Sequence, residues 1–282
     1  MANYSGYTSE TPKSLLLDAG AFFKNFYVGT DTFASAVTAG KLLGATSGGG
    51  AFSAVPTIRK IEVDGIKGAA KGLQVIDEWV VTLTANVKEV KKTTIQTALA
   101  ASSVDTATSA TYDIITAKNE IALTDYIDNI TWVGNLAGTN SPVIIQVYNA
   151  MNTGGLKVDV ADKAEAVLAL TFTGHYTDTD LTTPPFKIYY PKAITNTVDT
   201  STHTFSKAAT ADILLTITSS DSAVCGGVKI GTEYMIESGY TLATGTVNLE
   251  KEYLAELANA AYTITLMMDK GNNITVTVTV GA

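Results

Sequence analysis

Alternation of apolar and polar side chains is the feature that most constrains this chain. Residues 78–88 show it clearly, and only Val80 interrupts the polar side. The apolar positions of that segment are Trp79, Val81, Leu83, Ala85 and Val87. Because successive side chains of a strand point to opposite faces, the pattern predicts a strand with one buried face. Residues 274–280 alternate in the same way between Ile or Val and Thr, so the chain is predicted to be mainly β.

One segment of the first half has helical periodicity instead. Thr93 and Gln96 have the spacing of a capping box, and Ile95, Ala98 and Leu99 form an apolar stripe at helical offsets. The pattern predicts a single α-helix over Thr93–Ala100 in that half.

The length of 282 residues favours two domains. We expect an N-terminal arm at 1–14, a first β domain at 15–191 and a second domain at 192–282, with the boundary after Pro191. The short alternating strands of 192–282 are typical of an immunoglobulin-like β-sandwich. Tyr262, at the start of a late strand, has the position of a tyrosine corner.

Charge and cysteine content exclude some functions. The chain has 19 basic and 27 acidic side chains and a net charge of −8, which argues against a protein that grips a phosphate backbone. The first residues lack the pattern of a signal peptide, and no apolar run is long enough for a membrane span. Because a single cysteine allows no intrachain disulfide, we expect a chain that is kept in a reducing cytoplasm or has no use for oxidation. Cys225 is the single cysteine and is expected to be a small buried apolar residue.

A search for catalytic and metal-binding motifs finds none that is complete. His175 and His203 have no further ligand at metal-binding spacing, and His175 is expected on the polar face of a strand. Asp178-Thr179-Asp180 begins like a calcium loop but lacks the glycine, and Gly44–Gly50 lacks the Lys-Ser/Thr of a phosphate loop. The glycine-rich segment is therefore interpreted as a flexible loop. The sequence predicts no enzyme, no catalytic residue, no metal and no cofactor.

Four stretches of the first domain carry a resemblance to a known family. They are Ser14–Phe26, Gly44–Gly72, Leu123–Trp132 and Pro185–Pro191. Together they resemble the major tail protein, or tail tube protein, of siphophages and related prophages. The resemblance implies a tail-tube β-sandwich or barrel domain with one helix packed outside. Before the resemblance is considered, the residues leave open a ring of identical subunits and an ordinary monomeric sandwich.

The second domain resembles the immunoglobulin-like modules attached to bacterial cell-wall and carbohydrate-active proteins. Siphophage tail proteins often carry such a domain at this end. Ala261 stands where that family has a glycine before the tyrosine.

The resemblance implies a structural virion protein whose hexameric rings stack into a hollow tube through which phage DNA passes without specific binding. Its implied partners are further copies of itself, a tape-measure protein, a tail terminator and baseplate or distal tail proteins. The implied location is the virion tail, assembled in the bacterial host cytoplasm. The arm and the loop around 40–56 would connect rings, and the second domain would face outward, with possible weak contact to the host surface and none to a membrane. The candidate subunit-interface residues are Leu15, Leu16, Phe22, Phe23, Phe26, Gly48, Gly49, Gly50 and Phe52.

Three alternatives accompany this interpretation. An adhesin-like protein with a cell-surface or glycan-binding module would be expected to carry a secretion signal or anchor. An enzyme is disfavoured by the incomplete motifs. A contractile-tail or injection-machine tube would share the fold of the first domain.

Overall fold

A computed structural model describes residues 5–8, 11–137, 141–208 and 211–282 of the chain. Residues 1–4, 9 and 10 of the predicted arm lie outside the described residues. The fold is mainly β, as predicted. The chain forms two compact units, Met1–Tyr190 and Pro191–Ala282, and each is described by itself. No helix in the described ranges is both long enough and apolar enough to cross a bilayer.

The first unit contains ten strands and two α-helices among its described residues. The strands are β1 (Ala21–Lys24), β2 (Phe52–Lys60), β3 (Gln74–Val87), β4 (Ser102–Asp105), β5 (Ile114–Ala117), β6 (Ile127–Asn135), β7 (Pro142–Asn152), β8 (Val158–Ala161), β9 (Ala164–Thr173) and β10 (Phe186–Tyr189). The helices are α1 (Phe33–Thr38) and α2 (Lys92–Ala98), and short 3₁₀ turns lie at Thr11–Ser14 and Leu123–Asp125.

An antiparallel sheet organises this unit. Its strand order is β1-β6-β7-β9-β3-β2, with β10 added beside β7 and β8 beside β9. The alternation predicted for residues 78–88 is confirmed where β3 pairs with β9, because Val81, Leu83, Ala85 and Val87 are all buried. Leu168, Leu170 and Phe172 of β9 alternate in the same core.

The helix content of the first unit differs from the prediction. The predicted helix is present as α2, but it begins one residue earlier, Thr93 lies inside it, and its N-cap residue Lys91 makes no side-chain cap hydrogen bond. The prediction of a single helix is wrong, because α1 precedes it. The hydroxyl of Thr32 accepts a hydrogen bond from the backbone N–H of Ser35, and the Ser35 hydroxyl accepts one from the Thr32 N–H, which caps α1.

The glycine-rich segment is hydrogen-bonded rather than a free loop. Leu43 N donates to Phe22 O, Ser47 N to Asn86 O, and Thr84 N to Ala51 O, so residues 43–51 join β1 to β3. At Gly50 the backbones are so close that a Cβ would lie 2.0 Å from the Thr84 carbonyl oxygen. The prediction that this segment is a flexible loop is therefore wrong, whereas its role as a connector between rings stays a prediction.

The aromatic residues of β1 are core residues. Phe22 packs into the main core of the unit, while Phe23 and Phe26 pack on the other side with Ala36 of α1. All three are at most 3% exposed. Their prediction as subunit-interface residues is wrong, because the elements around β1 cover both of its faces.

The second unit is a two-layer β structure. One sheet has the order β11 (Asn196–Val198), β13 (Ile213–Ser219), β17 (Thr246–Leu249) and β16 (Tyr240–Ala243). The other sheet has the order β12 (Thr202–Ser206), β19 (Ile274–Gly281), β18 (Ala261–Met268), β14 (Cys225–Ile230) and β15 (Glu233–Tyr234), and β12 pairs in parallel with β19. A 3₁₀ turn at Glu237–Gly239 and α3 (Lys251–Glu256) complete the unit.

Apolar side chains from several strands meet in one core in this unit. Leu215, Ile264, Leu266, Val276 and Val278 are fully buried in it. The Tyr262 hydroxyl donates a hydrogen bond of 3.1 Å to the Ala258 carbonyl, four residues upstream, which confirms the predicted tyrosine corner.

Replacing Phe23 with Ala should destabilise the first unit by about 3–5 kcal/mol, because Phe23 is fully buried and the change leaves a cavity. Both tryptophans, Trp79 and Trp132, lie in this unit, so their fluorescence during urea unfolding follows it selectively. The control is Phe33→Ala, where the ring is 56% exposed and the expected loss is about 1 kcal/mol or less. Equal losses for the two variants would contradict the burial assigned to Phe23.

Candidate functional sites

Six of the nine predicted interface residues lie around one shallow groove. The six residues are Leu16, Phe22, Gly48, Gly49, Gly50 and Phe52. The groove has a volume of about 450 Å³. Phe22 lines the groove but is buried, whereas Leu16 is 51% exposed. Leu15 is also exposed, and its carbonyl accepts a hydrogen bond from Ala137 N. The structure therefore brings most of the predicted set together but leaves only part of it available at the surface.

A protruding hairpin exposes several apolar side chains of the first unit. β9 pairs with β3 only from Thr82 onward, so residues 74–78 pair with β2 alone. Those five residues of β3 are exposed on both faces, and so is the facing end of β2. The loop 61–73 joins the two strands. The exposed apolar residues of the hairpin and its loop are Val55, Ile58, Ile61, Val63, Ile66, Val75, Ile76 and Val80.

The hairpin is ordered by cross-strand contacts. The Arg59 guanidinium donates to both carboxylate oxygens of Asp77 at 3.1 and 3.2 Å, and Thr57 donates to Glu78 at 3.3 Å. Isolated two-stranded ribbons are marginal in water, and contiguous exposed apolar surface marks interaction sites in soluble proteins. The protruding hairpin is therefore a candidate interaction surface of this unit.

A second groove lies where β3 leaves β9. Its volume is about 630 Å³, and it is lined by Glu78, Trp79 and Val80 of β3, by Leu123, Tyr126 and Asn149, and by the segment 173–178 after β9. The Tyr176 hydroxyl accepts a hydrogen bond from Trp79 N at 3.1 Å, which fixes that segment beside β3.

His175 lies in this groove, beyond the end of β9 rather than on a strand face as predicted. Its Nδ1 is 2.9 Å from the Asn149 carbonyl oxygen, and its ring meets the Tyr126 ring edge to face at 5.1 Å. Because a carbonyl only accepts, Nδ1 carries the proton and Nε2 is left as an acceptor in the neutral ring. Sequence reasoning missed this site because Tyr126, Asn149 and His175 are far apart in the chain.

Groups that suit a metal or nucleophilic chemistry are few in the described residues. Asp212, Glu250 and Glu252 lie close enough to share an ion, but they are wholly or partly exposed. Asp212 already accepts hydrogen bonds from Asn248 and from Lys251 N, which hold the pKa of its carboxyl below the usual value. Burial raises the pKa of the half-buried Cys225 thiol, which disfavours the reactive thiolate.

Among the described residues of the second unit, Tyr234 has the most exposed aromatic ring. Tyr234 lies on the edge strand β15 and is 66% exposed. Lys229 of the adjacent strand places its ammonium 4.5 Å from the ring centroid, and the ring packs beside Gly227. Ile236, 58% exposed, extends this apolar edge. We call Lys229, Tyr234 and Ile236 the Tyr234 edge.

Comparisons with known proteins bear on the second unit most directly. The family model of carbohydrate binding domain X2 matches residues 198–278, which lie within that unit. No curated protein matches the chain.

Solved structures provide only distant similarities. Two crystal structures of a tri-modular GH5 (subfamily 4) endo-β-1,4-glucanase from Bacillus licheniformis, one complexed with cellotetraose, match at 14% and 16% identity, each with a TM-score of 0.27. They cover 50% and 55% of this chain, which spans about a third (35%) of theirs. The SGBP-B protein of a Bacteroides ovatus mixed-linkage glucan utilization locus, in complex with a heptasaccharide, matches at 12% identity and a TM-score of 0.20, covering 82% of this chain and 60% of its own.

Proposed function

We propose that this protein is a structural subunit that assembles through its first unit and carries a carbohydrate-binding module in its second unit. Binding is the activity proposed for the second unit, and the match to carbohydrate binding domain X2 over residues 198–278 carries this part of the proposal. The two-layer fold of that unit supplies a rigid frame for such a module.

The Tyr234 edge is the surface of the module proposed to contact the glycan. Sugar-binding surfaces present aromatic rings together with a few polar groups that fix the orientation of the ligand. Tyr234 offers an exposed ring, and the Lys229 ammonium beside it can donate hydrogen bonds to hydroxyl groups.

The assembly part of the proposal depends on the protruding hairpin. Its apolar residues have no cover within the described first unit, and head-to-tail contacts between identical chains generate rings or filaments. The resemblance of the first domain to tail tube proteins supports one particular assembly. The proposed assembly is a stack of hexameric rings that form a hollow tube for the passage of phage DNA. The net charge of −8 would limit adhesion of DNA to such a tube. A cell-surface adhesin that binds glycan without assembling is the alternative.

Replacing Tyr234 with Ala should weaken glycan binding by about tenfold or more, because the exposed ring supplies contact area that Ala cannot replace. The full chain is first screened on a glycan array that includes cell-wall and plant polysaccharides, and binding is then measured by calorimetry. Tyr112→Ala, at a 73% exposed tyrosine of the first unit, is the matched control and should bind normally. A wild-type chain that binds no glycan, or a Y234A variant that binds as well as wild type, would contradict this part of the proposal.

Replacing Ile58 and Ile76 with Asp should abolish self-assembly, since it places two charges on a surface that assembly would bury. Both side chains are about half exposed, so the folded monomer should tolerate the change, which circular dichroism can verify. Assembly is followed by sedimentation and negative-stain microscopy of the concentrated protein. Leu214→Asp with Leu242→Asp, at exposed positions of the second unit, is the control. Normal assembly of the I58D/I76D variant would show that the hairpin is not the interface.

A further inference from the structure

The side chains that line the groove beside β3 determine which ligand it can bind. Its two charged side chains, Glu78 and Asp178, are both carboxylates, and His175 presents an acceptor nitrogen. The Asn149 side-chain amide donates a hydrogen bond of 3.0 Å to the His175 carbonyl oxygen. The amide oxygen of Asn149 is left as a further acceptor. Aromatic rings of Trp79, Tyr126 and Tyr176 lie among these groups.

A lysine ammonium fits such a lining. It has three donors and no acceptor, so it matches carboxylates and an imidazole nitrogen, and it is attracted to the faces of aromatic rings. A phosphate or another anion would face two carboxylates and be repelled.

The chain itself contains a slender segment with this chemistry. Gly65–Gly72, in the loop of the protruding hairpin, reads Gly-Ile-Lys-Gly-Ala-Ala-Lys-Gly. Lys67 and Lys71 are exposed and make no ion pair with any described residue. The acidic residues of the loop, Glu62 and Asp64, precede this basic part. The small neighbours of the two lysines leave room for their side chains to enter a groove.

Apolar contacts would accompany the charges. Ile66 of the loop is 45% exposed, while Leu123 and Val80 at the groove are 87% and 47% exposed. Burying such side chains adds favourable free energy in proportion to the apolar area removed from water.

The loop does not line the groove of its own copy in this structure. A strand rises about 3.3 Å per residue, so the four residues from Gln74 to Glu78 hold the loop roughly 13 Å from the groove. The Arg59–Asp77 pair links the two strands of the intervening hairpin. A loop that enters this groove therefore belongs to another copy.

We propose that the groove lined by Glu78, His175 and Asp178 binds the Lys67–Lys71 segment of a second copy of this chain. The contact is heterologous, so each copy uses its loop and its groove with different neighbours and the assembly grows in one direction. This inference depends on the self-assembly proposed above and is independent of glycan binding.

Charge reversal tests this contact with the full chain. K67E/K71E alone and E78K/D178K alone should each raise the concentration needed for assembly at least about tenfold, because like charges then face each other. Mixing the two variants should restore assembly, since each reversed loop then meets a reversed groove. K192E/K207E makes the same charge change as K67E/K71E at exposed lysines of the second unit and should assemble as wild type.

Carbodiimide cross-linking of mixed ¹⁴N- and ¹⁵N-labelled wild-type chains provides a direct readout. It should yield mixed-isotope peptides that join Lys67 or Lys71 to Glu78 or Asp178. Assemblies that form without these cross-links, and that neither charge reversal disturbs, would overturn the groove assignment while leaving self-assembly intact. A wild-type chain that remains monomeric at every concentration would overturn both proposals.

Discussion

The strand β3 supplies core side chains to the first unit and also carries the candidate interface of that unit. From Val81 to Val87 its apolar side chains are buried in the main core of the unit, and β9 pairs with it from Thr82 onward. From Gln74 to Glu78 the same strand extends past β9, paired only with β2 and exposed on both faces. The buried half fixes the direction of the exposed half, so the hairpin projects beyond the end of β9. The groove beside it exists because β9 ends at Thr173 while β3 continues.

The second unit depends on a different constraint, the closure of two sheets over one core. Alternating residues of β13, β18 and β19 fill that core, and the Tyr262 hydrogen bond fixes the corner that leads into β18. The edge strand β15 lies at the end of one sheet, where its side chains remain accessible. A module of this kind can vary its edge for recognition without changing its core, which is consistent with the proposed role of Tyr234.

Sequence reasoning predicted burial correctly where one face of a strand is buried and the other is exposed to solvent. The alternation at residues 81–87 and 274–280 predicted burial correctly, because a period of two leaves no other arrangement. It failed at Phe22 and Phe23, where both faces of β1 are covered. A run of apolar residues has the same sequence pattern in a core and in a subunit interface. Sequence reasoning also failed at Gly48–Gly50, because glycine permits a flexible loop and a close backbone approach equally. The groove around His175 was out of reach, since only the fold brings its residues together.

The central claim is that the first unit assembles through the exposed half of β3 and its loop. Cryo-electron microscopy of the concentrated full-length protein tests it most directly, because a reconstruction locates the hairpin relative to neighbouring copies. The account predicts rings or tubes in which residues 58–76 of each copy are buried against the next one. Isolated monomers at all concentrations, or assemblies in which the hairpin faces solvent, would contradict it.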